Sequence, residues 1–510
     1  MNPMAPLDLM VIGGGINGTG IANDAAGRGL RVGLCEQGDL ASATSSASSK
    51  LIHGGLRYLE HREFRLVGEA LREREVLMAK APHIIWPMRF LLPHRPHLRP
   101  AWMIRTGLFL YDHLGKRRAL PASRGMRFTA SGPLAPSITR GFEYSDCWVD
   151  DARLVVLNAL QAREQGAEVM VRTRCLAARE VAGLWEVELE DVISGERLRR
   201  RARALVNAAG PWVEQVIRQG LKRTPRYGIR MIQGSHLVVP RLNDDERAFI
   251  LQNQDGRIVF VLPWEEDFSL VGTTDRRYEG DPARVTATDE EIDYLLGVVN
   301  AHFRRQLART DVLRTFSGVR PLCDDESTAP SAMTRDYTLH LDTSGAPLLS
   351  VFGGKLTTYR RLAEAALAQL SPHLPTMGSA WTDKTPLPGG DIGSQADFTA
   401  RLLAASPWLG EARARRFART YGSLCLEFLA GARSEADLGE AFGAGLTARE
   451  VDYLVDREWA ATAEDILWRR TKLGIRLDPP ARRRLADYLA TLPTAATSAT
   501  ASARAPIAAA

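Results

Sequence analysis

The sequence has 510 residues, which is too long for one ordinary hydrophobic core and predicts two or three domains. Apolar residues make up 45% and charged residues 25%, as is usual in globular proteins. None of the five cysteines forms a CxxC pair, which argues against a disulfide scaffold or a thiolate zinc site and fits a reducing compartment. The net charge of +6 and the pI near 9.1 favour anionic partners.

The first residues carry no basic segment and no cleavable apolar run, so we expect no signal peptide. Residues 9–12 are predicted to form a buried strand, residues 16–28 a helix, and residues 31–36 a second strand. No stretch of the chain reaches the roughly 18 consecutive apolar residues that predict a membrane span. The chain therefore opens with a strand–helix–strand unit.

The loop between the first strand and the helix, GGGINGTG, contains the GxGxxG pattern of a dinucleotide-binding loop. Its first glycine allows a tight turn, its second lets the backbone approach a pyrophosphate, and its third lets the helix pack on the strand. An acid that ends the second strand is placed to bond the adenosine ribose hydroxyls, which disfavours NADP. The predicted ligands of the dinucleotide here are Gly13, Gly14, Gly15, Ile16, Asn17, Gly18 and Glu36.

A loop rich in serine and alanine follows, LASATSSASSKLIHGG, where a nicotinamide enzyme would usually continue with further strand–helix units. Small residues allow close backbone approach, and hydroxyls can donate to phosphate or ring atoms. A flexible linker is the alternative, but the apolar LIHGGLRYLE that follows favours a flavin-binding loop. Its predicted contributors are Thr44, Ser45, Ser46, Ser48, Ser49, Lys50, Leu51, His53 and Gly54, and a charged helix is predicted over residues 63–80.

The proline-rich segment 82–148 is predicted to be irregular. Between Arg89 and Arg127 it carries nine Lys or Arg residues and one acid, together with aromatic residues such as Trp102 and Phe109. This pattern is typical of a helix that lies in an anionic lipid interface, although a solvated domain face is the simpler interpretation. Nucleic-acid binding is not expected, because no recognised nucleic-acid-binding module accompanies the charge.

The rest of the chain resumes with a helix over residues 150–165, strands as far as 315, and two further candidate cofactor segments. VNAAGPW contributes Ala209, Gly210 and Trp212, and the strand–turn–helix segment around GGKLTT contributes Gly354, Lys355, Leu356 and Thr357. The second segment places amides and a helix N-terminus where the pyrimidine end of a reduced flavin carries negative charge. After a linker at 386–393 the pattern is helical to about 492, and the low-complexity tail is predicted to be disordered.

The segments IGGGINGTGIANDAAGRGL, TSSASSKLIHGGLRYLE, FEYSDCWVDDARLV, GSHLVVP, SGVRPLCDDE and SVFGGKLTTYR together resemble the aerobic, FAD-dependent glycerol-3-phosphate dehydrogenases of bacteria. The resemblance extends to about residue 490. It implies non-covalent FAD, oxidation of sn-glycerol 3-phosphate to dihydroxyacetone phosphate, and transfer of electrons to membrane quinone. It also implies a homodimer that is bound peripherally to the inner, cytoplasmic face of the cytoplasmic membrane, attracted to its anionic surface.

The resemblance also implies a set of substrate ligands, for which arginine is suited because its guanidinium donates to two phosphate oxygens at once. These ligands are Arg57, Tyr58, Arg320 and Arg335. Lys355 fits a position beside the flavin or the substrate oxygen and is a further predicted substrate ligand. Thr273 and Thr274 are expected to form hydrogen bonds near the flavin ring, and Thr273 is also a predicted substrate ligand. An ion pair of Arg320 with Asp324, Asp325 or Glu326 is the structural alternative. Arg320 is also expected to stabilise the developing alkoxide.

Histidine has a suitable pKa for the base that takes the hydroxyl proton, and His53 and His236 are both candidates. His94 and His97 lie among prolines without a nearby acid, so no metal site is expected. Three other functions stay open: an oxidase of the same fold that passes electrons to oxygen, an amine or amino-acid oxidase, and a flavin-bound membrane adaptor.

The predicted fold class is α/β. It comprises a Rossmann-like FAD-binding domain of the amino-acid-oxidase/glutathione-reductase type, an inserted antiparallel-sheet substrate domain and a C-terminal helical domain. The FAD-binding domain is predicted over residues 1–80, 149–227 and 316–385. The substrate or cap domain takes 81–148 and 228–315, the helical domain 394–492, and the tail 493–510.

Overall fold

A computed structural model describes residues 5–95, 98–115, 120–324 and 337–492. Arg335, a predicted substrate ligand, and the predicted disordered tail 493–510 lie outside these residues. The helices are α1 Ile16–Gly27, α2 Phe64–Lys80, α3 Ala101–Leu114, α4 Asp151–Glu164, α5 Val213–Gln215, α6 Asp289–His302, α7 Tyr359–Leu370, α8 Gln395–Ala405, α9 Glu411–Thr420, α10 Cys425–Leu429, α11 Ala448–Glu458 and α12 Pro479–Thr491. The strands are β1 Leu7–Ile12, β2 Val32–Glu36, β3 Leu51–Ile52, β4 Ile85–Pro93, β5 Arg124–Arg127, β6 Arg140–Val149, β7 Glu168–Val171, β8 Thr173–Val181, β9 Leu184–Asp191, β10 Arg197–Asn207, β11 Ile229–Pro240, β12 Ala248–Gln252, β13 Ile258–Trp264, β14 Phe268–Gly272, β15 Arg276–Arg277, β16 Arg314–Cys323, β17 Thr338–Asp342, β18 Leu348–Phe352, β19 Ala441–Gly443 and β20 Leu446–Thr447.

The first sheet has parallel strands at its centre in the order β18-β10-β1-β2-β7, with β17 antiparallel to β18 at one edge. The hairpin β8–β9 joins this sheet through β10. Helices α1 and α7 cover one face of β1, β10 and β18 and bury a continuous apolar cluster there. Because both faces of β1 are covered, its sequence is an uninterrupted apolar run from Leu9 to Ile12.

The second sheet follows the order β15-β11-β14-β13-β12-β4-β6-β3, with β16 paired to β11 and β5 to β6. Strands β4 and β6 pair along their whole lengths, so the prediction of an irregular segment over 82–148 was wrong. The prolines suggested irregular backbone, but pairing with strands distant in sequence supplies the hydrogen bonds of β4. Strand β16 belongs to this sheet, whereas the domain boundary at residue 316 stays a prediction.

The C-terminal region packs α8, α9 and α11 against α4 through a large apolar core. The predicted helices are present, and the short hairpin β19–β20 interrupts them. Buried ion pairs join this region to α4 and to the loop after β2: Arg153 pairs with Glu458, Arg470 pairs with Asp39 at 2.8 Å, and Lys472 pairs with Asp150, the N-cap of α4. Among the helices of the described residues, none combines the length and the apolar character needed to cross a bilayer.

Candidate active site

A cavity of about 1080 Å³ is lined by residues of both large sheets and of the C-terminal region. Ligand pockets usually measure roughly 300–1000 Å³, so this cavity has room for a dinucleotide together with a small substrate. The predicted site residues that line it are Gly13, Gly15, Ile16, Asn17, Glu36, Thr44, Ser45, Ser46, Ser48, Ser49, Lys50, Leu51, His53, Gly54, Arg57, Tyr58, Ala209, Gly210, Trp212, Thr273, Arg320, Gly354, Lys355, Leu356 and Thr357. Gly14, Gly18 and His236 lie behind its wall.

The first glycine loop has the geometry that a pyrophosphate-binding turn requires. Gly13 has a φ of +112°, which favours glycine, and a Cβ on Gly18 would overlap the carbonyl oxygen of Gly13. Helix α1 can therefore begin directly against the turn, with its N-terminal amides at the cavity. The Ile16 N–H donates to Ser45 Oγ (3.0 Å), which joins this loop to the serine-rich loop.

Glu36 stands at the end of β2, where the acid was expected. Its two carboxylate oxygens accept the N–H groups of Gly14 (2.6 Å) and Gly38 (2.7 Å). Burial raises the pKa of Glu36 above its usual value, although these amide donors oppose the shift. A carboxylate oxygen can accept more than one hydrogen bond and Glu36 lines the cavity, so the residue fits the role of a ribose ligand.

The serine-rich loop is held in place by contacts within the protein. Ser48 Oγ donates to Asp151 Oδ2 (2.7 Å), and Lys50 Nζ donates to Asp151 Oδ1 (2.7 Å). The Thr44 hydroxyl donates to the Val319 carbonyl (2.6 Å) on β16 of the second sheet. These side chains therefore fix the shape of the loop, and their contact with a cofactor stays a prediction.

The second glycine turn directly contacts the first glycine loop. Asn17 Nδ2 donates to the Gly353 carbonyl (3.1 Å), while Asn17 Oδ1 is buried without a hydrogen-bond partner in the protein. A buried acceptor of this kind usually has a partner, so a donor on a bound molecule fits this position. The two glycine turns, the Glu36 carboxylate and this acceptor together fit a bound FAD.

The residues that follow His53 contact the second glycine turn directly. The His53 N–H donates to Thr357 Oγ1 (3.3 Å), and Lys355 Nζ lies 4.0 Å from the centre of the Tyr58 ring. Arg57, between them, lines the same cavity. Segments that are about 300 residues apart in the sequence therefore place two cations at one end of the cavity.

Arg320 reaches this cavity from β16 of the second sheet. It forms an ion pair with Asp275, and its Nη2 donates to Thr273 Oγ1 (3.1 Å). Of the acids that the sequence offered as its structural partners, Asp324 pairs with Arg230 (2.8 Å), whereas Asp325 and Glu326 lie outside the described residues. Asp275 thus orients the guanidinium, and no sequence pattern had singled it out.

The two candidate histidines differ in position. His53 is half-buried and lines the cavity. His236 is buried, stacks on Phe316, and has Nε2 2.9 Å from Ser49 Oγ. Burial, helped by the nearby charges of Arg320 and Lys50, lowers the pKa of His236 well below its usual value. His236 is therefore neutral near pH 7, and it reaches the cavity through two residues of the lining, Ser49 and Phe316.

The C-terminal region contributes part of the cavity wall, which the sequence did not reveal. Glu464, Trp468, Arg469 and Lys472 line it, and Lys472 also pairs with Asp150, next to the Asp151 that holds the serine loop. The only sequence signal was the DILWRRTKLG segment, to which no chemistry could be attached.

The first sheet carries the dinucleotide loop, and the second sheet shares a cavity with it that Glu36 lines at the end of β2. This is the architecture of FAD-dependent oxidoreductases. The family model of FAD-dependent oxidoreductases matches residues 8–360, and that of the C-terminal domain of alpha-glycerophosphate oxidase matches residues 380–494.

Individual relatives agree along nearly the whole chain. A glycerol-3-phosphate dehydrogenase of Pseudomonas aeruginosa is 64% identical over 494 residues, which cover 96% of each protein. The aerobic glycerol-3-phosphate dehydrogenase of Escherichia coli is 59% identical over 489 residues, covering 95% of this chain and 98% of that protein. The X-ray structure of the glycerol-3-phosphate dehydrogenase from Bacillus halodurans complexed with FAD matches with a TM-score of 0.74 and 28% identity, covering 96% of this chain and 95% of that one.

The chain belongs to the FAD-dependent oxidoreductase family and, within it, to the bacterial glycerol-3-phosphate dehydrogenases. The predicted fold class, the FAD cofactor and the family resemblance are thereby confirmed. The roles of individual site residues stay predictions.

Proposed function

We propose that this enzyme oxidises sn-glycerol 3-phosphate to dihydroxyacetone phosphate and passes the electrons to a membrane quinone. One observation supports the proposal: three cations, Arg57, Arg320 and Lys355, line the same cavity as the dinucleotide loop. A phosphorylated substrate needs such a group, whereas an amino-acid substrate would also need a partner for its ammonium group.

The three cations have different parts in binding the substrate. Arg57 and Arg320 each present a planar guanidinium that donates to two oxygens, which suits a phosphate dianion. Lys355 is held over the Tyr58 ring, so its ammonium is directed by the aromatic face. Arg320, oriented by Asp275, also stabilises negative charge on the substrate oxygen as its proton leaves.

His53 takes the hydroxyl proton because it lines the cavity, whereas His236 lies behind its wall. His236 acts as a positioning residue, since its Nε2 contacts Ser49 Oγ in the serine-rich loop. FAD, when bound, supplies the two-electron acceptor for the oxidation of the alcohol carbon. Glu36, the glycine loops and Asn17 are the residues that would hold it.

The reaction is tested on the purified holoenzyme under anaerobic conditions. Addition of glycerol 3-phosphate is expected to bleach the flavin absorbance near-stoichiometrically, and glycine or another amine should leave it unchanged. Reoxidation by a quinone analogue without peroxide formation supports the dehydrogenase. Rapid reoxidation by oxygen with stoichiometric peroxide would instead identify the enzyme as an oxidase, and a flavin bleached only by amines would refute the proposal.

Helix α3 supports the proposed attachment to an anionic membrane surface. Its outer face exposes Trp102 (69%), Phe109 (57%) and Met103 (42%), while Ile104 and Leu108 on its inner face are buried in the second sheet's core. Exposed aromatic side chains of this size are typical of a helix lying in a lipid interface. An attachment to the inner face of the cytoplasmic membrane would bring the enzyme to its quinone.

Sedimentation with vesicles that contain anionic phospholipid tests this surface. The variant carrying both Trp102→Glu and Phe109→Glu is expected to lose binding, while Ile193→Glu serves as the control because Ile193 is equally exposed (63%) but lies in the β9–β10 turn. Equal binding by both variants would refute the assignment of α3.

We propose the homodimer from the family resemblance, and light scattering of the purified enzyme tests it.

A further inference from the structure

The backbone turn that carries the proposed phosphate ligands is tied to a buried side chain of α3. The N–H of Gly54 donates to the hydroxyl oxygen of Tyr111 (2.7 Å), and this hydroxyl donates in turn to Asp146 (2.7 Å to Oδ2). Arg74 Nη1 donates to Asp146 Oδ1 (2.7 Å) and to the Ser145 carbonyl (3.0 Å). The Tyr111–Asp146–Arg74 triad thus joins α3, β6 and α2 behind the cavity.

All three side chains of the triad are almost completely buried, each about 2% exposed. In such surroundings an N–H without an acceptor is costly, so the position of the Tyr111 hydroxyl determines where the Gly54 amide lies. The packing around Gly54 is tight, because a Cβ at this position would lie 2.6 Å from Leu71 Cδ2 and 2.8 Å from Tyr111 Cε2. The turn therefore rests directly on α2 and α3.

Gly54 stands between the proposed base and the proposed phosphate ligands. His53 precedes it, Gly55 follows with a φ of +74°, and the short helical turn Leu56–Leu59 then presents Arg57 and Tyr58 to the cavity. The far side of this segment is held by Thr357 and Lys355. A displacement of the Gly54 amide is transmitted to Arg57, because only the Gly55–Leu56 link separates them.

We propose that Tyr111, held by Asp146 and Arg74, is a positioning residue that sets the Gly54–Tyr58 segment for binding of the substrate phosphate. Tyr111 itself does not line the cavity, so it acts through the backbone rather than by contact with substrate. This inference rests on the proposed function, which assigns Arg57 to the phosphate.

The C-terminal region contains a matched triad that serves as the control. The Tyr421 hydroxyl donates to Glu450 Oε1 (2.6 Å), and Arg416 Nη2 donates to Glu450 Oε2 (2.7 Å). Tyr421 is also fully buried, but it lies outside the cavity lining. Tyr421→Phe therefore removes the same kind of hydrogen bond without touching the Gly54 turn.

The test compares Tyr111→Phe and Tyr421→Phe holoenzymes with wild type, by anaerobic flavin reduction and by steady-state kinetics with a quinone analogue. Both variants are expected to melt at a lower temperature. Only Tyr111→Phe should raise KM for glycerol 3-phosphate, by about tenfold, as expected when the buried Gly54 N–H loses its acceptor, with the oxidised flavin spectrum unchanged. If Tyr111→Phe is not recovered with FAD, Asp146→Asn is measured in its place and is expected to raise KM at least about threefold.

A double-mutant cycle with Arg57→Ala separates positioning from general destabilisation. In the Arg57→Ala background, Tyr111→Phe should change KM by less than about twofold, because the residue that it positions is gone. Unchanged KM in Tyr111→Phe, an equal rise in Tyr421→Phe, or full additivity with Arg57→Ala would each overturn the inference. Failure of wild-type flavin to be reduced by glycerol 3-phosphate would instead count against the proposed function.

Discussion

Replacement of Arg320 by alanine tests the proposed substrate site most directly. The guanidinium is oriented by an ion pair with Asp275 and by a hydrogen bond to Thr273 Oγ1 (3.1 Å), and it lines the same cavity as Arg57 and Lys355. A hydrogen bond between charged groups contributes about 1.5–3 kcal/mol. Its loss in the transition state therefore lowers kcat/KM for glycerol 3-phosphate by a factor of about 10 to 150.

The variant is expected to keep its FAD, because the residues that would hold the cofactor are the glycine loops, Glu36 and Asn17 rather than Arg320. The assay is steady-state reduction of a quinone analogue, with flavin content measured from the absorbance spectrum. Arg320→Lys should recover only part of the activity, since an ammonium keeps the charge but not the two-oxygen geometry.

Arg230→Ala is the matched control for this prediction. Arg230 lies on β11, the strand that pairs with β16, and also forms an ion pair with an aspartate, Asp324 (2.8 Å), but it does not line the cavity. It should leave kcat/KM within about twofold of wild type, as is usual for a surface ion pair. Loss of FAD from Arg320→Ala with unchanged substrate affinity in the remaining holoenzyme would refute the assignment of Arg320 as a substrate ligand.

The other predictions concern the dinucleotide turn and the contact between domains. Gly18→Ala should yield protein without flavin absorbance, because its Cβ would overlap the Gly13 carbonyl and push α1 off the turn; normal flavin content would contradict this. Asp39→Asn should lower the free energy of unfolding by about 3–5 kcal/mol in denaturant titrations, because it removes the carboxylate nearest to the buried Arg470 (2.8 Å) and leaves that guanidinium with the more distant Glu458 (3.7 Å). Burial alone would raise the pKa of Asp39, but Arg470 and Arg469 outweigh it and hold the pKa below its usual value. Asp39 therefore contributes its full stabilisation above the pKa of about 3.9 that it has in the unfolded chain, and this stabilisation is lost as the pH falls through its lower pKa in the folded protein. The difference in the free energy of unfolding between wild type and Asp39→Asn should shrink below about pH 4.

The local sequence was sufficient to predict the dinucleotide-binding unit. A tight turn, close approach of a helix to that turn and an acid at the end of the next strand depend on residues within a span of about 30 positions. The positions of Gly13, Gly18 and Glu36 can therefore be predicted from the local sequence. The structure places all three residues as expected. The class of cofactor followed from these residues and from the serine-rich and second glycine segments.

The substrate end of the cavity depends instead on contacts between distant parts of the chain. Pairing of β16 with β11 brings Arg320 to Asp275, and Lys355 meets Tyr58 only because the two sheets close on each other. The same holds for Tyr111, whose sequence neighbours indicate only an amphipathic helix. Pairing between strands and burial of ion pairs are properties of the whole fold. The sequence alone therefore determined the cofactor loop, which depends on neighbouring residues, whereas the tertiary structure decided which charges surround the substrate.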